Sequence, residues 1–332
     1  MTEASPPARV DVHQHLWTPQ LLDALAARDH LPFVRRRDGM AVVHCAGEQA
    51  WAIDLGTETP ERRAELVRSD GLDLALIAPS SPIGIEALPR EGARELIDAH
   101  LDGTGELGEQ LAAWGPLPLD RPHATDVDDL LARGCLGLSL AAGALAGPEA
   151  LDQLGAVLER ASTLGAPVFV HPGPAPGQRP LQPSLNQPLW WAALTDYVAQ
   201  MQAAWLTFAT IGRREHPRLR ILFAMLAGGA PLLSERLVVR GGPPIELRDP
   251  LTFYESSSYG PVAIEAMAGR VGFGQLLYGS DRPVLEPSGT DWDHDLQTNA
   301  ARLLPASRIA APAVVPAGAP ALVPAGAPAV TA

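Results

Sequence analysis

Two histidines stand one residue apart near the start of the chain, in "VDVHQHLW" at residues 10–17. Imidazole nitrogens bind Zn²⁺, Fe²⁺ and similar ions, so His13 and His15 are a candidate metal pair. The spacing has a geometric consequence. Side chains alternate along a strand, so Asp11, His13 and His15 share one face while Val10, Val12 and Gln14 share the other. Two residues cover about 6–7 Å of strand, close enough for both rings to converge on one ion. By itself the motif is equally well satisfied by two exposed or hydrogen-bonded histidines.

Two other stretches supply partners. "VFVHPG" ends an apolar run with His171, and "LLYGSDRP" ends another with Asp281, each just ahead of a proline. His13, His15, His171 and Asp281 together make a ligand set for one divalent ion, Zn²⁺ foremost, with Mn²⁺ and Fe²⁺ compatible. Three neutral imidazoles and one carboxylate leave a net positive site with a position open for water. The opposing reading makes each an isolated buried polar group that needs its own hydrogen-bond partner. All 25 basic residues are arginine. Without lysine there is no Schiff base and no lysine carbamate to bridge two metals.

The elements that must position these residues are short apolar runs alternating with helical patterns. Strands are expected at 9–15, 72–79, 111–119, 135–142, 166–173, 220–226, 253–258 and 275–281. Between most of them lie amphipathic stretches such as "PREGARELIDAHLD" and "EALDQLGAVLERASTLG". Strands alternating with helices imply βαβ units and a parallel sheet, and eight of them favour a closed (β/α)₈ TIM barrel. A Rossmann sheet would need a glycine-rich turn after the first strand, where "HQHLWTP" stands. Barrel active sites form at the C-terminal ends of strands, where His13, His15, His171 and Asp281 all fall. Residues 16–71 are too long for one connection and predict an inserted lobe. The expected organisation is a flexible N-terminus at 1–9 and one barrel domain at 10–309. A disordered tail follows at 310–332, where "VPAGAPAL" and "VPAGAPAV" repeat in tandem.

Composition excludes some partners. A net charge of −13 repels nucleic acid and anionic membranes, and no apolar run reaches the roughly 20 residues of a span. Arg35, Arg36 and Arg37 read as a solvated turn. Cys45 and Cys135 lack metal or redox spacing and fit buried thiols of a cytoplasmic protein.

As an ordered set, "DVHQH", "VHPG" and "YGSDRP" resemble the amidohydrolase superfamily. More narrowly they resemble its branch containing aminocarboxymuconate-semialdehyde and γ-resorcylate decarboxylases. The resemblance runs from about Val10 to Leu304 and includes "AGGAPLLSERL" and "TNAARLL". It implies a mononuclear metal site held by His13, His15, His171 and Asp281, a small-molecule substrate and a homodimer. One departure matters. The branch carries a histidine at the end of strand six, where this chain reads "FAMLAGGAP" and places Met225. A thioether cannot act as a base.

Substitutes for that histidine are Asp281 itself and His294, in "DWDHD" on a loop expected at the catalytic face. Glu255 on strand seven is a candidate for polar support, and Arg282 for anion binding or pairing with a carboxylate. Trp190 and Trp191 are candidates for an aromatic wall over the substrate, or for a packing or dimer contact. The leading expectation is a metal-dependent hydrolase that activates water against an amide, lactone or imine. The alternative is a non-oxidative decarboxylase of an aromatic or unsaturated acid. The third is a catalytically degenerate metal-binding barrel.

Overall fold

Eight parallel strands form one sheet: β1 (Val10–Gln14), β5 (Leu74–Ile77), β6 (Leu111–Pro116), β7 (Gly137–Ala141), β8 (Val168–His171), β9 (Ile221–Phe223), β10 (Thr252–Glu255) and β11 (Leu276–Leu277). They neighbour one another in that order. The computed structural model describes residues 8–105, 108–178, 187–287 and 289–304. The expectations for residues 1–7 and for the repeat tail therefore fall outside the described residues.

The sheet closes on itself between β11 and β1. The Val12 amide donates to Tyr278 O at 3.0 Å, Asp281 N to His13 O at 2.9 Å, and His15 N to Arg282 O at 2.6 Å. This is the (β/α)₈ barrel expected. Strands covered on both faces carry near-continuous apolar sequence, and "LALI" and "VFVH" are buried throughout. Inside the barrel Phe169 stacks on Trp114 at 5.4 Å and touches the His13 ring at 5.0 Å. Phe169 is thus the floor beneath the histidines.

The predicted lobe follows β1. It holds an antiparallel sheet of β2 (Phe33–Arg37), β3 (Met40–His44) and β4 (Trp51–Asp54), flanked by helices Pro19–Ala26 and Pro60–Ser69. Asp38 and Gly39 turn β2 into β3 with φ of 52° and 79°, the left-handed pair that a tight hairpin needs. Each flanking helix starts on Thr-Pro. The hydroxyls of Thr18 and Thr59 accept from Leu21 N and Arg62 N, and each proline fills the first helical position. Arg36 and Arg37 pair with Asp23 and Asp38 at the surface.

Three strands end earlier than their apolar runs. β10 stops at Glu255, whose side chain turns back to accept the Ser257 amide. β11 spans two residues, because the chain beyond it bends toward β1 and reaches Asp281 with φ of 59°. β9 stops at Phe223, and Met225 to Gly229 then adopt a left-handed turn with φ from 49° to 73°. Non-glycine residues there cost roughly 1–2 kcal/mol each, so outside contacts must hold the turn. Glu255 binds the Met225 amide, Gln202 donates to Gly228 O, and Gly228 packs where a Cβ would meet Val198 O at 2.8 Å. Among the described residues no helix is long and apolar enough to cross a membrane.

Candidate metal centre

His13 and His15 sit at the C-terminal end of β1, His171 at the end of β8, and Asp281 just past β11. One ligand atom from each lies within 4.8 Å of the others, so the four can hold one metal ion. The three imidazole centroids are 4.9–5.1 Å apart, each ring nearly perpendicular to its neighbours. The histidines are buried, and Asp281 is nearly so.

The outer nitrogens explain the inner ones. His15 Nδ1 meets Ala78 O at 2.9 Å and His171 Nδ1 meets Pro172 O at 2.9 Å. A carbonyl only accepts, so both rings carry their proton on Nδ1 and leave the Nε2 lone pair bare. His13 Nδ1 donates to Glu255 Oε2 at 3.0 Å. The lone pairs therefore face one another: His13 Nε2 is 3.2 Å from His15 Nε2, and Asp281 Oδ1 is 3.0 Å from His15 Nε2 and 3.5 Å from His13 Nε2. Asp281 Oδ1 is buried and receives no hydrogen bond from the described residues. A cation at their centre removes that conflict. Nitrogens each about 2.1 Å from a shared ion stand roughly 3.0–3.4 Å apart, which the His13–His15 separation matches.

The same carboxylates draw positive charge onto His13. Burial works against a charged ring, yet Glu255 and Asp281 outweigh it and raise its pKa to about 9, so a positive charge is favoured at Nε2, whether a proton or a metal ion in its place. Burial also lowers the pKa of His171, helped by the neighbouring imidazoles. At Asp281 burial acts upward, but the three histidines prevail and hold the carboxyl below its ordinary range.

A second layer fixes the ligands. Glu255 is fully buried and takes His13 Nδ1, Met225 N and Ser257 N. Gly279 leaves the room for it, since a Cβ there would lie 2.3 Å from Glu255 Oε1. Asp11 receives His13 N, Ser280 N and Gln14 Nε2, joining β1 to the segment that bears Asp281. Arg63 is buried under the lobe, where it donates to His15 O at 2.7 Å and pairs with Glu58. Metal-bound histidines commonly gain orientation from such outer partners.

Other expected site residues stand elsewhere. Arg282 Nη2 pairs with Asp70 and Glu286, 3.3 Å from each, while its Nε and Nη1 are buried without a hydrogen-bond partner among the described residues. His294 lies in the first turn of helix Asp293–Asn299, not in a loop, and is exposed outside the cluster. Trp190 and Trp191 pack on each other at 5.7 Å but remain 56% and 43% exposed, so they do not wall a closed site. Met225 is half-buried, and its backbone amide is the part that reaches Glu255. Both cysteines are buried and unpaired, and burial pushes them to about 11 and about 12.

Sequence reasoning missed Glu48 and Tyr197. Glu48 lies between β3 and β4 and receives the Tyr197 hydroxyl from helix Asp196–Thr207. Burial raises its pKa, and the Asp281 charge adds to the shift. No local signal marks the pair, because the lobe brings them together across 149 residues.

Solved structures with this barrel include IDCase from Metarhizium anisopliae, with a TM-score of 0.67 and 18% identity over 94% of this chain and 100% of that one. 5-carboxyvanillate decarboxylase from Novosphingobium aromaticivorans, with bound manganese and 3-methoxy-4-hydroxy-5-nitrobenzoic acid, superposes with a TM-score of 0.66 and 15% identity over 90% and 97%. 2,6-dihydroxybenzoate decarboxylase from Rhizobium gives 0.59 and 16% over 90% and 98%. At such low identity the likeness to these proteins is one of fold. No family model and no curated protein matches the sequence.

Proposed function

We propose that the chain is a metal-dependent carboxy-lyase that removes CO₂ from a small aromatic or unsaturated carboxylic acid. The observation that carries this reading is the charge at the cluster. Three neutral imidazoles and one carboxylate with a divalent ion leave one net positive charge, suited to a monoanionic carboxylate. Arg63 is committed to Glu58, and Arg282 pairs through Nη2 with Asp70 and Glu286. The solved decarboxylases that share the fold favour this reading over the hydrolase expected from sequence, although the same ligands would serve either.

When bound, the ion would supply Lewis-acid polarisation of the substrate's oxygens. The remaining chemistry belongs to the chain. The bond between the carboxylate and the substrate carbon breaks, its electron pair stays on that carbon, CO₂ leaves, and the carbon takes a proton. We assign the proton's relay to Asp281: its carboxylate would take a proton from solvent and pass it to the vacated carbon, which returns Asp281 to its ionised form. His13, His15 and His171 hold their geometry through Nδ1. Met225 contributes no acid or base, and the loss of one such group is typically worth ~10²–10⁴ in rate.

The test uses the full chain loaded with Mn²⁺ or Zn²⁺ and carboxyl-labelled salicylate-like and muconate-like acids. Released label and deuterium at the vacated carbon in D₂O are expected. Hydrolysis of amides or lactones with no CO₂ from any acid would establish the hydrolase instead. Metal binding with neither activity would leave the degenerate barrel.

A further inference from the structure

A cavity of about 240 Å³ lies beyond the C-terminal ends of β5 and β8, lined by residues that follow Ala78, whose carbonyl holds His15, and the cluster's His171. Gly173 and Pro174 line it directly after His171 and Pro172, and Pro82 comes from the loop after β5. The lobe and helix Asp196–Thr207 complete it with Glu48, Tyr197 and Asp196. The volume is below the ~300–1,000 Å³ of drug-sized pockets and suits a single small ring.

The cavity has a built acceptor. The Tyr197 hydroxyl holds the Glu48 carboxyl, and the Trp51 side chain binds it as well. Gln49, the next residue, donates to Gln187 O at 2.9 Å and ties this part of the lobe to the segment after β8. Glu48 is therefore held in place in the cavity lining. Two carboxyl groups, Glu48 and Asp196, line the cavity, and none of its described lining residues is an arginine. A second carboxylate on the substrate would meet like charge there, whereas an N–H donor would meet an oriented acceptor.

We propose that Glu48, positioned by Tyr197, determines specificity by accepting a hydrogen bond from an amino group at the end of the substrate remote from its metal-bound carboxylate. The assignment rests on the proposed carboxy-lyase reading for the orientation of the acid. It names a substrate class that the metal ligands do not choose: amino-substituted monocarboxylic acids, with dicarboxylic acids rejected.

Calorimetric titration of the Mn²⁺-loaded full chain with meta-aminobenzoate, benzoate and isophthalate tests this by binding, apart from turnover. Hydrogen bonds to charged groups are worth about 1.5–3 kcal/mol, so the amino acid is expected to bind roughly 10- to 150-fold tighter than benzoate. Isophthalate is expected to bind weakest. In Glu48→Gln the preference should fall to within a few-fold. In Tyr197→Phe, which leaves Glu48 in place but without its tyrosine partner, it should fall part of the way. In Glu48→Arg the order should invert toward isophthalate. An amino preference unchanged in both Glu48→Gln and Tyr197→Phe, or isophthalate binding tightest to the wild type, would overturn the proposal. Failure of the carboxy-lyase reading looks different: Glu48-dependent binding persists while no acid releases CO₂.

Discussion

Replacing Glu255 by glutamine alters one atom of the buried support beneath the metal ligands, and its consequences can be worked out bond by bond. Glu255 Oε2 takes His13 Nδ1 at 3.0 Å and Met225 N at 3.1 Å, while Oε1 takes Ser257 N. Glutamine has one acceptor oxygen. Its better orientation keeps that oxygen on His13 and Met225 and turns the NH₂ against the Ser257 amide, donor facing donor. An unpaired donor in a fully buried site costs about 1–3 kcal/mol, which lowers the melting temperature by roughly 2–4 °C for each kcal/mol. His13 also loses the negative partner that makes its Nε2 a stronger ligand, and losses of this kind cost about 10–100-fold in metal affinity. The assay strips the protein with chelator, then titrates Mn²⁺ against a competing dye, alongside calorimetric melting with and without metal. Glu255→Gln should bind Mn²⁺ at least tenfold more weakly, with kcat at saturating metal changed much less. A metal Kd within twofold of wild type would refute the claim that Glu255 orients His13.

Further outcomes follow from the same geometry. Gly279→Ala should copy the Glu255→Gln metal phenotype, because its Cβ would sit 2.3 Å from Glu255 Oε1; wild-type metal affinity in that variant would count against it. Met225→His should raise kcat by roughly 10–100-fold if a strand-six imidazole still fits, since general acid–base groups are typically worth ~10²–10⁴; the φ of 52° there suits histidine better than methionine. Burial holds fully enclosed His100 at about 4, below its ordinary 6.5, and both ring nitrogens lack partners among the described residues. Between those values the unfolded chain takes up a proton that the folded chain refuses, so stability is complete above pH 6.5 and falls as pH drops toward 4. The loss should be about 2 kcal/mol by pH 5, and His100→Leu should flatten it in urea titrations at pH 7 and pH 5.

The barrel was legible because parallel strands buried on both faces write themselves as apolar runs, and their alternation with helical patterns leaves few topologies. The four residues of the cluster were legible for a related reason: each is a polar residue at the C-terminal end of such a run, where a core residue would be apolar. Residues acting through distant partners were not. Glu48 meets Tyr197 only because the lobe folds over, and Arg282 Nη2 pairs with Asp70, which caps the C-terminal end of helix Pro60–Ser69. His294 was misjudged because "DWDHD" reads as loop, whereas Thr290 and Asp293 bond each other and start a helix. The left-handed turn at Met225 had only Gly228 and Gly229 to announce it. The three residues before them are held by Glu255 and by the turn's neighbours, which no local pattern encodes.

The central claim is that His13, His15, His171 and Asp281 hold one divalent ion. Crystals grown with Mn²⁺ and measured at the manganese absorption edge test it most directly. The account predicts a single anomalous peak per chain, within bonding distance of the three Nε2 atoms and Asp281 Oδ1. No peak at that position, or a peak bound by other residues while these four keep their mutual contacts, would contradict it.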